Sequence, residues 1–236
     1  MFTQALTKRW AGLGAKLLHD CTIEGFECDN NAIKNIASKA EKCKTSSIND
    51  SKNELILTAD AFVVACGSHS APLLRTIGVG LPVYPGKYYS VTFRLFKPEA
   101  APWVGLIDDQ IKRAISRLGN QLRVADMIDV GRYDLTLTMP LVRARCALPA
   151  RRVGDALLGV VDTRLESEGG TPNFWAGLQP TTPTNMPCTS KIVVENPWGN
   201  AGHGTLGWTH GAGSGKAQVE LISGKKSALA LDFYGI

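Results

Sequence analysis

Apolar positions fall into three textures along the chain. In FTQALTKRWAG, Phe2, Ala5, Leu6 and Trp10 share one side of a short helix. KLLHDCTIEGFECDNNAIKNIASKAEKC then carries strand-like apolar patches broken at Gly25 and at CDNN, and KTSSINDSKNE reads as a surface loop. Residues 55–57 and 61–65 are short apolar or β-branched runs of the kind found in strands buried on both faces. AFVVACG ends at Gly67, Ser68 is placed to cap a helix, and APLLRTIG carries that helix to Gly78. This strand–glycine–helix unit is an α/β signature.

The middle differs. LPVYPGKYYSVTFRLF alternates in part and is rich in Tyr, Val, Thr and Phe, which predicts a strand. Residues 107–139 support two readings. Ile107, Ile111, Ile115 and Leu118 fit helical spacing, whereas Gly119 and Asn120 followed by QLRVADMI fit a hairpin. VGDALLGVVDTRL predicts a helix ending before EGGTP. FWAGLQPTTPTNMP, with Pro180, Pro183 and Pro187, predicts a shaped, extended loop.

Near the end, GHGTLGWTHGAGSGK holds six glycines in fifteen positions. Each ordered glycine costs about 0.5–1 kcal/mol relative to alanine. A helix is predicted to start near 213–215 and to stop at Gly224, with Ala217, Val219, Leu221 and Ile222 in its apolar pattern. The glycines therefore lead into a helix N-terminus, whose N–H groups and dipole favour negative or electron-rich ligand atoms. A phosphate loop is excluded by His210 and Ala217 at its required Gly and Ser/Thr positions. Gly202, Gly204 and Gly207 fit G-x-G-x-x-G, but no acidic residue follows at the dinucleotide spacing.

Composition narrows the classes. The 236 residues are 44% hydrophobic and 20% charged, ordinary for a globular chain able to bury a core. No apolar run approaches the ~20 residues of a membrane span. The net charge of +5 is scattered, without the basic stripe and interleaved aromatics of a nucleic-acid binder. Cys21, Cys28, Cys43, Cys66, Cys146 and Cys188 form no C-x-x-C pair, so reduced thiols and a cytoplasmic location are expected, with peripheral contact to the inner membrane left open. No two histidines share ligand spacing with a carboxylate, so no metal site is expected. Asp108 and Asp109 would point to opposite faces of a strand. Ser68, His69 and Ser70 lack a G-x-S-x-G elbow. Trp175 and Trp208 suit a pocket wall or a core equally.

Taken in order, ADAFVVACGSHSAPLL, LPVYPGKYYSVT, RLGNQLRVAD, FWAGLQPTTP and GHGTLGWTHGAGSG resemble the bacterial D-amino-acid dehydrogenases (small subunit), of the flavin-dependent D-amino-acid oxidase-like superfamily. The resemblance covers nearly the whole chain and roughly the C-terminal half of the family. It implies an α+β fold, with a partial FAD-binding α/β domain (1–80 and 198–236) interleaved with an antiparallel-sheet substrate domain (81–197). It also implies hairpin strands over 107–139. Cys66, Gly67, Ser68, Gly204, Thr205, Leu206, Gly207, Trp208 and Thr209 would meet the cofactor, FAD. Gln179 and His203 would meet a D-amino acid substrate, and the family's chemistry requires no catalytic acid–base residue.

The chain departs from the family pattern in three ways. No glycine fingerprint precedes residue 55, so this length of chain alone is expected to hold FAD weakly or not at all. Gln179 stands where the family has the arginine that clamps the substrate carboxylate, unless Arg143 or Arg145 reaches that group instead. Tyr88 and Thr184 replace an expected glycine and aspartate. The alternative to an enzyme is a non-catalytic remnant or interaction module without cofactor. A complementary chain is a further partner the sequence leaves open.

Overall fold

In the computed structural model, residues 2–29, 32–40, 54–110, 113–130, 132–137, 160–161, 172–192 and 195–227 are described. The alternating segment at 84–94 forms β5 (Tyr84–Arg94), the spine of a five-stranded antiparallel sheet. Around it lie β6 (Leu106–Asp108), β7 (Arg113–Leu118), β8 (Gln121–Val130) and β9 (Asn173–Thr181), in the order β6-β7-β8-β5-β9. The hairpin reading of 107–130 therefore holds, and the helical one fails. Ile115 is buried opposite Val124, but Ile107 is 76% exposed, so the two cannot share one apolar helix face. Gly119 turns the β7–β8 hairpin with φ +62.

Tyr89, Val91 and Phe93 point to one face of β5 and pack with Ile115, Leu122 and Val124. Each such side chain contributes about 1.5–3 kcal/mol when fully buried. Val160 and Val161 close this core, and Val161 bridges Leu95 as an antiparallel partner. The helix predicted over 153–165 does not run through these two residues, because their branched side chains fill the core from a turn and a bridge. The rest of that segment lies outside the described residues.

The remaining strands build two smaller sheets. β1 (Cys21–Asp29), β2 (Ala32–Ala40) and β3 (Glu54–Leu57) form an antiparallel meander. Gly25 does not break β1 as expected; a register shift between Ile23 and Gly25 absorbs the irregularity. β4 (Phe62–Val64) pairs in parallel with β11 (Pro197–Ala201), which is antiparallel to β10 (Cys188–Lys191). The expectation of strands buried on both faces fails here. Ile56 and Leu57 on β3 are both exposed, and β4 buries only Phe62 and Val64 while Val63 is exposed.

Helices complete the architecture: α1 (Phe2–Gly12), α2 (Ser70–Arg75) and α3 (Gly207–Ile222). α1 is the predicted N-terminal helix, but it buries none of its side chains. α2 is shorter than expected, and Ser68 does not cap it. Instead the Ser70 hydroxyl accepts the Cys66 N–H at 3.0 Å. Leu74 and Ala71 carry α2 into a second core with Val64, Val79, Leu81, Val83 and Ile192. α3 begins at Gly207, about two turns before the predicted start, and ends before Gly224 at φ +67.

Phe26 of the meander packs against the core of Val64 and Ala201, and one side chain adds hydrogen bonds between the meander and the parallel pair. The Asn196 amide accepts the Ile33 N–H at 2.8 Å and donates to the Ile33 carbonyl at 2.7 Å, as a strand backbone would. Ile33 is buried, so its main-chain groups have no water to turn to. Asn196→Ala is expected to lower unfolding stability by about 1–3 kcal/mol, measured by urea denaturation. Asn196→Asp, which keeps the acceptor and loses the donor, should recover only part of that loss.

Candidate functional site

Two glycine turns and one strand meet. A 3-10 turn at Gly67–His69 follows β4, and another at Gly204–Leu206 follows β11. β9 packs against both. The approach is fixed just beyond β9, where Thr182 lies over Gly202. A Cβ at Gly202 would come within 2.7 Å of the Thr182 methyl, and its φ of +81 already excludes most side chains. Thr182 is held in turn by donating its hydroxyl to the Met186 carbonyl at 2.9 Å. Cys66–Ser68, Gln179 and His203–Leu206 are thereby gathered in one region from three distant stretches of sequence.

The first turn is anchored by groups the sequence reading did not single out. Tyr133 donates its hydroxyl to the Ser68 carbonyl at 3.0 Å, and its ring lies 5.1 Å from that of His69. Burial holds the Tyr133 phenol above its usual pKa, partly opposed by Arg75. The Ser68 hydroxyl is buried without a hydrogen-bond partner. Burial also raises the Cys66 thiol, against a smaller lowering from the Ala65 backbone, so it is no ready thiolate. Cys28, Cys66 and Cys188 are free thiols, the Cys21 thiol donates to the His19 carbonyl at 3.3 Å, and Cys43 and Cys146 lie outside the described residues.

The second turn runs straight into α3. Neither helix start carries a side-chain cap or an acidic residue in its first turn. The Leu206 N–H is bonded to the His203 carbonyl at 3.0 Å, and the N–H groups at the start of α3 have no side-chain acceptor. An added Cβ at Gly211, Gly213 or Gly215 would meet no other part of the described chain within 4 Å. Trp208 is 76% exposed and Thr205, Leu206 and Thr209 face outward, with the Phe2 ring edge-on to Trp208 at 5.1 Å. The reading of Trp208 as core is therefore corrected, and the same holds for Trp175.

His203 is turned inward. Its Nε2 lies 3.0 Å from the Ser214 hydroxyl, which donates its single hydrogen to the Gly211 carbonyl at 3.3 Å. The Ser214 hydroxyl thus links the His203 ring to the main chain of α3. Burial, then the charge of His210, lowers the His203 pKa and keeps the ring neutral.

β9 is a strand where a shaped, extended loop was expected. Pro180 is tolerated because β9 is the sheet edge. Phe174 and Ala176 enter the core, so Trp175, Gly177 and Gln179 share the other face. Opposite them on β5 stand Ser90, Tyr88 and Gly86 respectively. The Trp175 ring lies over Gly177, leaving no room for a Cβ there, while the ring itself is 56% exposed. Burial raises the Tyr88 phenol pKa. The Gln179 side-chain oxygen Oε1 is buried and has no hydrogen-bond partner among the described residues. Period-two spacing of Trp175, Gly177 and Gln179 was the signal for this face, hidden by the prolines. Arg143 and Arg145, the other candidate cations, lie outside the described residues.

With this geometry established, the comparisons place the chain. Residues 1–221 match the FAD dependent oxidoreductase (DAO) family, and the chain belongs to it. It is 46% identical over 170 residues to the D-amino acid dehydrogenase of Dechloromonas aromatica (strain RCB), covering 72% of this chain and 38% of that protein. It is 35% identical over 225 residues to the D-amino acid dehydrogenase of Xanthobacter autotrophicus, covering 95% and 48%. The chain thus spans less than half the length of these relatives. In fold it is similar to L-proline dehydrogenase from P. horikoshii, with TM-score 0.77, 21% identity, and coverage of 99% of this chain and 57% of that one. Glycine oxidase from Geobacillus kaustophilus gives TM-score 0.75 at 20% identity, covering 98% and 56%.

The lowered His203 pKa has a stability consequence. A histidine whose pKa falls on folding contributes stability that is complete above the unfolded value of about 6.5. That contribution is lost as the pH drops through this value towards the folded one. His210→Ala should raise the His203 pKa and narrow the loss, read by imidazole NMR titration alongside denaturation at each pH.

Proposed function

We propose that the chain forms the flavin-ring side and the substrate face of an FAD-dependent dehydrogenase of D-amino acids. The observation that carries this reading is the convergence of the Gln179 face with the two glycine turns. In it, residues 1–80 and 198–236 belong to the cofactor domain and 81–197 to the substrate domain, interleaved along the chain. Cys66, Gly67, Ser68, Gly204, Thr205, Leu206, Gly207, Trp208 and Thr209 lie against the cofactor, and Gln179 and His203 serve the substrate end.

The uncapped N–H groups fit this group. They are preorganised donors for the electron-rich edge of an isoalloxazine ring, and the absence of first-turn acids avoids repulsion. When bound, FAD supplies the acceptor for a hydride from the substrate Cα. The chain's part is positioning. The rigid β9–β5 face orients the substrate, and the exposed Trp175 ring covers it from one side. Neutral His203 adds no cation beside the ring.

Gln179 also favours the second reading, a module without turnover, because a neutral amide cannot reproduce a bidentate guanidinium–carboxylate pair. Kinetics separate the two. In the flavin-loaded enzyme, Gln179→Arg should raise kcat/KM for D-alanine by tens to thousands-fold, matching the roughly 2–5 kcal/mol of a buried charge-assisted contact. Equal activity in the parent and the variant would remove the substrate contact from this position. Visible absorbance of the purified protein reports whether flavin is present at all.

A peripheral membrane contact is supported by the exposed Trp103, Val104 and Ile107, with the Arg117 guanidinium stacked 3.8 Å from the Trp103 ring. No described helix is long and apolar enough to cross a membrane. Sedimentation with anionic phospholipid vesicles should carry the protein down, and Trp103→Ala with Ile107→Ser should leave it in the supernatant. Equal sedimentation of both forms would reject this contact.

A further inference from the structure

We infer that Trp103, Arg117 and Asn120 form a binding site for the phosphodiester headgroup of an anionic phospholipid. This rests on the peripheral membrane contact proposed above and names what that contact recognises. A cavity of about 380 Å³ lies at the turn end of the β7–β8 hairpin, lined by Trp103, Arg117, Gly119 and Asn120. Trp103, its aromatic wall, is 78% exposed, so the cavity is reached from solvent. The Arg117 guanidinium is fixed in place there. Its Nε–H donates to the Gly119 carbonyl at 3.0 Å, Nη1 donates to the Pro98 carbonyl at 2.8 Å, and its face stacks on the Trp103 ring. A guanidinium carries five N–H donors. Both on Nη2 and the second on Nη1 have no acceptor among the described residues.

A phosphodiester suits this cation, because its two anionic oxygens can take parallel N–H bonds from one guanidinium. The exposed Asn120 amide adds a donor on the same cavity wall. The surrounding charges favour an anion. Arg94 and Lys97, both exposed, flank the segment where the Leu95 N–H donates to the Asn120 carbonyl at 3.1 Å. Glu99, also exposed, opposes them, so with Arg117 three cations meet one carboxylate here. Arg123 is engaged with Thr92 at 3.1 Å. Asp108 and Asp109 lie beyond the other end of β7, where Asp108 stands opposite Arg113, about 13 Å along the strand from Arg117. The apolar rim selects a lipid as the source of the phosphate. Val104 and Leu118 are exposed beside Trp103 and Arg117. Free phosphate would fill the donors and leave Trp103, Val104 and Leu118 in water. A headgroup brings a bilayer interface with it, where an indole ring and its apolar neighbours are stable.

The test uses the 236-residue chain with vesicles of phosphatidylglycerol in phosphatidylcholine, read by sedimentation at fixed ionic strength. Arg117→Lys keeps the charge but loses the planar guanidinium and its stack on Trp103. Diffuse attraction to a negative surface would leave its binding unchanged. A headgroup site predicts binding about tenfold weaker, the weight of one charge-assisted hydrogen bond. Asn120→Asp, nearly the same shape, places an acid on the cavity wall and should weaken binding by at least as much. Circular dichroism matching the parent shows that each variant is folded. Inorganic phosphate separates the two sources of the anion. It should shift the nitrogen-15 Arg117 Nε–H resonance only at concentrations at least about tenfold above those of a short-chain phosphatidylglycerol. Equal concentrations would show that phosphate alone suffices and would overturn the lipid assignment. Unchanged sedimentation of folded Arg117→Lys would overturn the headgroup site and leave the membrane contact standing. A parent protein that does not sediment with these vesicles would remove the contact itself, and the site with it.

Discussion

The site depends on one pairing, that of β9 with β5. Side chains alternate across a strand, so a slip of one residue would send Trp175, Gly177 and Gln179 into the core and bring Phe174 and Ala176 out. Two apolar anchors forbid the slip. Phe174 and Ala176 pack with the cluster around Val91, which has no exposure left to give. Among the described residues β9 is the sheet edge, and no described strand pairs with its other side. Its register comes from burial on one face, and its outer face is thereby free for chemistry.

The second constraint is the contact between the end of that edge strand and the main chain after β11. Gly202 and Thr182 meet without space for a methyl group. This brings the Gly204 turn and the uncapped start of α3 beside the sheet that carries Gln179. Neither feature makes a site alone. An uncapped helix start is common, and a polar residue on a sheet edge commoner still. What matters is that the Gln179 face and the start of α3, which no side chain caps, occur within one region.

Much of this was legible in the chain. The Tyr/Val/Thr alternation of 84–94 predicted β5, and Gly119–Asn120 marked the hairpin that follows. The strand–glycine–helix at 61–75 came through in outline. Three features did not. β9 was obscured because Pro180 and its successors signal irregular chain, and only the sheet order reveals an edge where a missing N–H is tolerated. The first two turns of α3 were hidden by glycine, whose low helix propensity is overridden once tertiary contacts supply the register. Ser68 looked like the cap, but the bond runs from Cys66 to Ser70, two residues on. Tyr133, which pins the first turn, is 65 residues from its partner. No local pattern can announce such a contact.

The Asn196–Ile33 clamp joins residues 163 positions apart, and β4 meets β11 over a similar separation. Closing so large a loop costs entropy before any contact repays it, so such pairings form late in folding. The β1–β2 hairpin and the β7–β8 hairpin are local and can form early. Between those stages the chain would present β4 as an unpaired, partly apolar edge, the kind of surface on which other strands pair. By imitating a strand's own donor and acceptor, the amide of Asn196 completes the long-range closure without requiring a further strand to be in place.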